Sequence, residues 1–179
     1  MKGWSSLLLF PVSMLPVAAT AQKQPLKTVS QVNLQRYSGA WYEIARMPNH
    51  WESQCMNDVV VHYELKPDGE ISVSNDCIKK NVLVTKSNGN AKVVDKNTDA
   101  KLKVVFFWPF SADYWIIGLD PEYQWAIVGQ PDRKYLWVIS RTPTLTSATM
   151  DKIRNKIVAS GYNVNQLLTT PQDGTNQRM

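Results

Sequence analysis

Between residues 41 and 141 the chain is cut into short runs in which apolar and polar positions alternate, and Pro, Gly, Asp and Asn cluster between the runs. A period of two belongs to strands, so the pattern predicts β-structure over 41–47, 56–65, 70–78, 81–86, 91–95, 102–108, 114–119, 124–129 and 135–141. Strands at this spacing with no helix between them describe an antiparallel sandwich or barrel. A short helical turn over 32–37 precedes them. The one convincing helix comes last: Thr146 or Ser147 caps it, Met150, Ile153 and Ile157 form one stripe, and Gly161 stops it. A single amphipathic helix after such a series should bury its stripe against the outside of the sheet. From Pro171 onward the chain is polar and is expected to fray.

The first strand is anomalous. Trp41, Glu43 and Ala45 share one parity, and Tyr42, Ile44 and Arg46 the other, so each face carries both a large apolar group and a charge. A small closed barrel accommodates this, because one face lines an interior while the other meets solvent or a packed helix. Trp41 then points inward and plugs one end, Ile44 packs outward under the helix, and Glu43 stands inside only if hydrated or paired.

Composition sets the scale. With 179 residues and 44% apolar content, the chain has room for one domain. Lys2-Gly3 leads an apolar run broken by Pro11 and Pro16 that ends in Ala19-Thr20-Ala21, the small-x-small form of a secretory cleavage site. This predicts a cleaved signal peptide over 1–21, a lead-in over 22–31, a folded domain over 32–170 and a polar tail over 171–179. The run is short of the roughly 20 residues that a membrane span needs. No cysteine stands at the cleavage site to carry a lipid anchor, so the expected product is a soluble periplasmic or secreted protein. Loss of Lys2 lowers the formal net charge from +5 to +4, spread along the chain and not gathered in a block. That argues for solubility, with transient membrane contact as a secondary expectation, and against nucleic acid as a partner.

Cys55 and Cys77, an even pair in an exported chain, flank a hairpin whose Pro67-Asp68-Gly69 turn lies near their midpoint. Their parity places both thiols on one face, as a disulfide requires. A metal pair or a reactive thiol is the rival reading, and it lacks a CxxC or a neighbouring histidine cluster.

Three motifs occur in order. Gly39-Ala40-Trp41-Tyr42 resembles the G-x-W motif that opens the first strand of lipocalins. Leu119-Asp120-Pro121-Glu122-Tyr123 is similar to the family's T-D-Y turn, with Leu119 in place of threonine, and Arg141 ends the last strand where lipocalins carry an arginine. Residues 131–137 resemble the bacterial outer-membrane lipocalin branch, which is similar to apolipoprotein D. The resemblance implies an all-β, eight-stranded antiparallel up-and-down barrel with one C-terminal amphipathic helix packed outside. It also implies a structural closure in which Arg141 covers the indole of Trp41 beside Gly39. Read locally, Asn88-Gly89 signals a tight hairpin and nine strands; the resemblance implies one strand there and eight in all, and that is the expectation adopted.

Such a barrel holds one small molecule when its inward residues are not all large. Inward parity selects Val59, Val61, Tyr63, Val73, Asn75, Val104, Phe106, Tyr114, Ile116, Val128, Tyr135 and Trp137 as candidate ligand contacts, with Ile71, Leu102 and Ala126 on the same face. The competing reading is that these side chains simply fill a core. The resemblance implies a lipophilic ligand, a fatty acid or lysophospholipid, carried or stored in envelope lipid handling by a monomer or homodimer. Phe106-Phe107-Trp108-Pro109-Phe110 forms either an exposed lip or the buried end of a strand.

Catalytic chemistry is not evident. His50 and His62 are the two histidines, one in a loop and one at an outward position, and Asp120 is expected to bond backbone amides in its own turn. No nucleophile elbow, phosphate loop or zinc motif occurs, so no enzyme activity, catalytic residue, metal or cofactor is expected. The alternatives are a lipocalin-like enzyme acting on a bound lipid and an interaction module using the open-end loops.

Overall fold

The computed structural model describes residues 24–79 and 82–174. The expected signal peptide and residues 175–179 of the tail lie outside the described residues. After a one-turn helix α1 (Leu34–Tyr37) come β1 (Gly39–Arg46), β2 (Asn57–Leu65), β3 (Ile71–Lys79), β4 (Val82–Val93), β5 (Lys101–Phe107), β6 (Phe110–Leu119), β7 (Trp125–Gly129) and β8 (Leu136–Ser140). Helix α2 (Ser147–Ala159), a 3-10 turn (Val164–Gln166) and a two-residue strand β9 (Leu168–Thr169) follow. From β1 to β8 each strand pairs antiparallel with the next, and β1 pairs with both β8 and β2, so the eight-stranded sheet closes on itself.

Two apolar clusters divide the molecule. The inner one gathers Trp41, Val61, Tyr63, Val73, Leu102, Val104, Ile116 and Val128. The outer one packs Ile153 and Ile157 of α2 on Ile117, Ile127, Leu136 and Val138, with Ile44 beside them. The α2 boundary follows local chemistry: Thr146 accepts a hydrogen bond from the Thr149 N–H at 3.2 Å, and Gly161 takes φ +82° just beyond the helix. The anomaly of the first strand resolves as a bulge between Glu43 and Ala45. The alternation resets there, so Ala45 joins the outer cluster and Arg46 comes back to the Glu43 side.

Asn88-Gly89 makes no turn. Both lie inside β4, opposite Ser74 and Val73 of β3. A Cβ at Gly89 would come within 2.6 Å of the Val105 carbonyl oxygen and 2.7 Å of the Phe106 ring, so close approach of β5, and not chain reversal, requires glycine there. Residues 171–174, the described part of the tail, depart from the expectation of fraying. Strand β9 pairs with Ala45 and Arg46 along the edge that β2 leaves open, and the Asp58 N–H donates to the Pro171 carbonyl at 2.9 Å. The Gln172 side chain donates to the carbonyls of Glu43 and Val59, and the Gly174 N–H donates to Asp58. The reason lies in β2, where Asp58 (φ 52°) breaks the ladder and leaves backbone groups that the C-terminal chain satisfies.

Candidate functional site

The closed end is built first. Gly39 takes φ +98°, which brings the chain from α1 into β1 under Arg141; a Cβ there would lie 3.3 Å from the guanidinium. The Arg141 guanidinium sits 3.8 Å from the centre of the Trp41 ring and donates to the carbonyls of Ala40, Arg36, Tyr37 and Ser38 at 2.7 to 3.2 Å. The Trp41 indole donates to the Tyr37 carbonyl at 2.7 Å. Asp120 accepts from the N–H groups of Glu122 and Gln124, as its Asp-Pro turn predicts. Tyr123 in that turn accepts from the Asn33 N–H at 2.8 Å, tying the start of α1 to the same end.

Above this plug the barrel is hollow. A cavity of ≈ 780 Å³ runs to the opposite end, within the size of pockets that hold one drug-sized or lipid-sized molecule. Ten of the twelve predicted contacts line it: Val59, Val61, Tyr63, Val73, Asn75, Val104, Phe106, Tyr114, Val128 and Trp137. Two do not. Ile116 lies one inward step below Tyr114, fully buried in the packed cluster around Trp41. Tyr135 precedes β8, and its ring stands outside the cavity against Trp51 at 4.7 Å. The cysteines form the expected disulfide, with Cα atoms 5.6 Å apart, and it fastens the end of the 47–56 loop to β3 at the cavity wall.

The side chains that pattern reasoning missed come mostly from that loop and from the bulge. Arg46 lies between two carboxylates, 3.5 Å from Glu43 and 2.8 Å from Glu52. Thr170 donates to Glu43, and the Trp137 indole donates to Glu52 at 3.2 Å. Glu43 thus meets the stated condition for an interior charge: it is paired. The mixed parity of the first strand was the available signal for Glu43 and Arg46. Glu52 and Trp51 lie in an aperiodic loop and gave none. At the mouth, Phe107, Trp108 and Phe110 are 74%, 82% and 72% exposed, and Phe107 stacks on Phe110 at 6.5 Å, which makes this run a projecting lip. Deep in the cavity Tyr114 bonds both Tyr37 and Tyr63 through their hydroxyls, at 2.7 and 2.8 Å. Burial holds all three phenols well above their usual titration range. His62 stands outside the barrel, 3.7 Å from Asp76, while His50 lines the cavity mouth beside Trp51.

A closed antiparallel barrel stoppered by Trp41 and Arg141, hollow above and flanked by one helix, defines a lipocalin. Residues 32–172 match the family model described as a lipocalin-like domain, and the chain belongs to this family. It is 38% identical over 162 residues to the outer membrane lipoprotein Blc of Citrobacter freundii, covering 88% of this chain and 91% of that one. It is 36% identical over 169 residues to temperature-induced lipocalin-1 of Arabidopsis thaliana, covering 86% and 87%. Apolipoprotein D of Macaca fascicularis matches at 32% identity over 77% of this chain and 76% of its own. Among solved structures, the cockroach allergen Per a 4 superposes with TM-score 0.66 at 21% identity, covering 84% of this chain and 96% of that one. The chain therefore sits in the branch that holds the bacterial Blc proteins and apolipoprotein D, and membership carries the family's general property, the binding of small hydrophobic molecules. Among the described residues no helix is long and apolar enough to cross a membrane.

Proposed function

We propose that this protein carries or stores a single-chain lipid, a fatty acid or lysophospholipid, inside the barrel, as an exported component of envelope lipid handling. The observation that carries the reading is the cavity itself: its middle is walled by Val59, Val61, Val73, Val104, Val128 and Ile139, and one end is sealed. Burying a chain of methylenes against such a wall contributes about 0.8 kcal/mol for each. The Phe107, Trp108 and Phe110 lip suits transient contact with a lipid surface during loading. Carriage without chemical conversion agrees with the cysteines, both of which are committed to the disulfide.

Lipid extracted from protein purified without detergent tests this directly. Mass spectrometry should find single-chain lipids near one per protein. A haem or pigment at that stoichiometry would replace the ligand class.

A further inference from the structure

The floor of the cavity has a hydrogen-bonding capacity that is not taken up among the described residues. Tyr37, Tyr63 and Tyr114 contribute three hydroxyl protons, and the two bonds among them consume two. One proton is left over. It resides on whichever hydroxyl does not donate within the chain of three. Tyr37 does not line the cavity and is packed against the rings of Trp41 and Tyr63, where an unpaired O–H would be stranded. Tyr63 and Tyr114 both line the cavity, and the two remaining proton arrangements present the spare O–H there.

The charge around this floor narrows what the donor can receive. Burial keeps the three phenols protonated; the charges of Glu43 and Glu52 act on Tyr63 in the same direction, while the Arg141 guanidinium in the plug acts on Tyr37 in the opposite one. Desolvation likewise penalises a carboxylate or phosphate brought to the floor, and among the described residues no lysine or arginine lines the cavity to offset it. An uncharged oxygen is under no such penalty.

We propose that the Tyr63 and Tyr114 hydroxyls form an anchoring site for an uncharged oxygen, a carbonyl or alcohol, at the leading end of the ligand. The inference rests on the carrier reading and sharpens it: the preferred ligand is a chain oxygenated at its buried end, and any anionic group it carries stays toward the mouth.

Three probes of equal chain length separate the outcomes: 2-undecanone, undecane and undecanoate, each competed against a fluorescent lipid on the mature protein. The ketone should bind roughly 3- to 10-fold tighter than the alkane, the worth of one hydrogen bond. Undecanoate should bind more weakly than the ketone. The Tyr63→Phe/Tyr114→Phe double variant should erase the advantage of the ketone over the alkane; an advantage that survives in it would overturn the assignment. In the unsubstituted protein the infrared carbonyl band of bound 2-undecanone should fall below its position in alkane solvent, a readout that holds even if the double variant fails to fold. An unshifted band, equal affinity for ketone and alkane, or tightest binding by undecanoate would remove the anchoring site and leave the carrier standing. If none of the three displaces the fluorescent lipid, the carrier reading itself falls.

Discussion

Replacing Arg141 with alanine should loosen the closed end by an amount that can be worked from its contacts. The guanidinium covers a Trp41 ring that is wholly buried, a cation–π contact of about 1 kcal/mol at a half-open site. Of its four backbone acceptors, the carbonyls of Tyr37 and Ser38 are in partly buried bonds, each worth about 1 kcal/mol net; the exposed carbonyls of Ala40 and Arg36 find water instead. Arg141→Ala should therefore lose about 3 kcal/mol in urea unfolding followed by tryptophan fluorescence. For a domain of this size that corresponds to a fall in Tm of roughly 6 to 12 °C. Arg141→Lys keeps a charge over the ring and gives up the planar fork, so it should recover only about a third to a half of the loss. A loss below about 0.5 kcal/mol in Arg141→Ala, or a lysine variant as stable as the parent, would refute the account of the plug.

Three further outcomes follow from other parts of the fold. Reducing the Cys55–Cys77 bridge, which spans a sequence separation of 22, should cost about 3 kcal/mol by the chain-entropy relation, read as a lower urea midpoint in dithiothreitol. Gly39→Ala must hold a side chain at φ +98° beside Arg141 and should cost about 1 to 2 kcal/mol by the same unfolding assay. Burial pushes the Tyr162 phenol up to about 12 from 10.0, so its contribution to stability is complete below pH 10 and is lost as pH rises through 12. In Tyr162→Phe the decline of the urea midpoint across that window should be shallower, and identical slopes would contradict the assignment.

What the sequence disclosed follows physical range. Strand period, the α2 stripe and the Gly-x-Trp start are local, so each was visible in a few residues, and the Trp41 and Arg141 pairing followed from the family resemblance. The disulfide was legible because the hairpin turn set the distance between Cys55 and Cys77. Features made by contact between distant segments were hidden. Gly89 carries a turn signal in its own neighbourhood and is glycine because Phe106 and the Val105 carbonyl of the next strand press on it. Parity told which way Ile116 faces but not its depth, and depth separates cavity wall from packed floor. Strand β9 is two residues long, too short for any period, and forms because β2 leaves an edge of β1 open. The loop that brings Glu52 and Trp51 to the mouth has no repeating pattern and is held by long-range partners, Arg46, Trp137 and Tyr135.

The proposed function requires a lipid in the interior of the barrel. Isothermal titration calorimetry with a lysophospholipid below its micelle-forming concentration, on the parent and on Val104→Arg, tests it most directly, because Val104 is 4% exposed and lines the middle of the cavity. The parent should bind one lipid per chain with a negative heat-capacity change, and binding should weaken at least tenfold in a variant that keeps its β-sheet circular dichroism. Equal binding by both proteins would place the lipid outside the barrel and contradict the account.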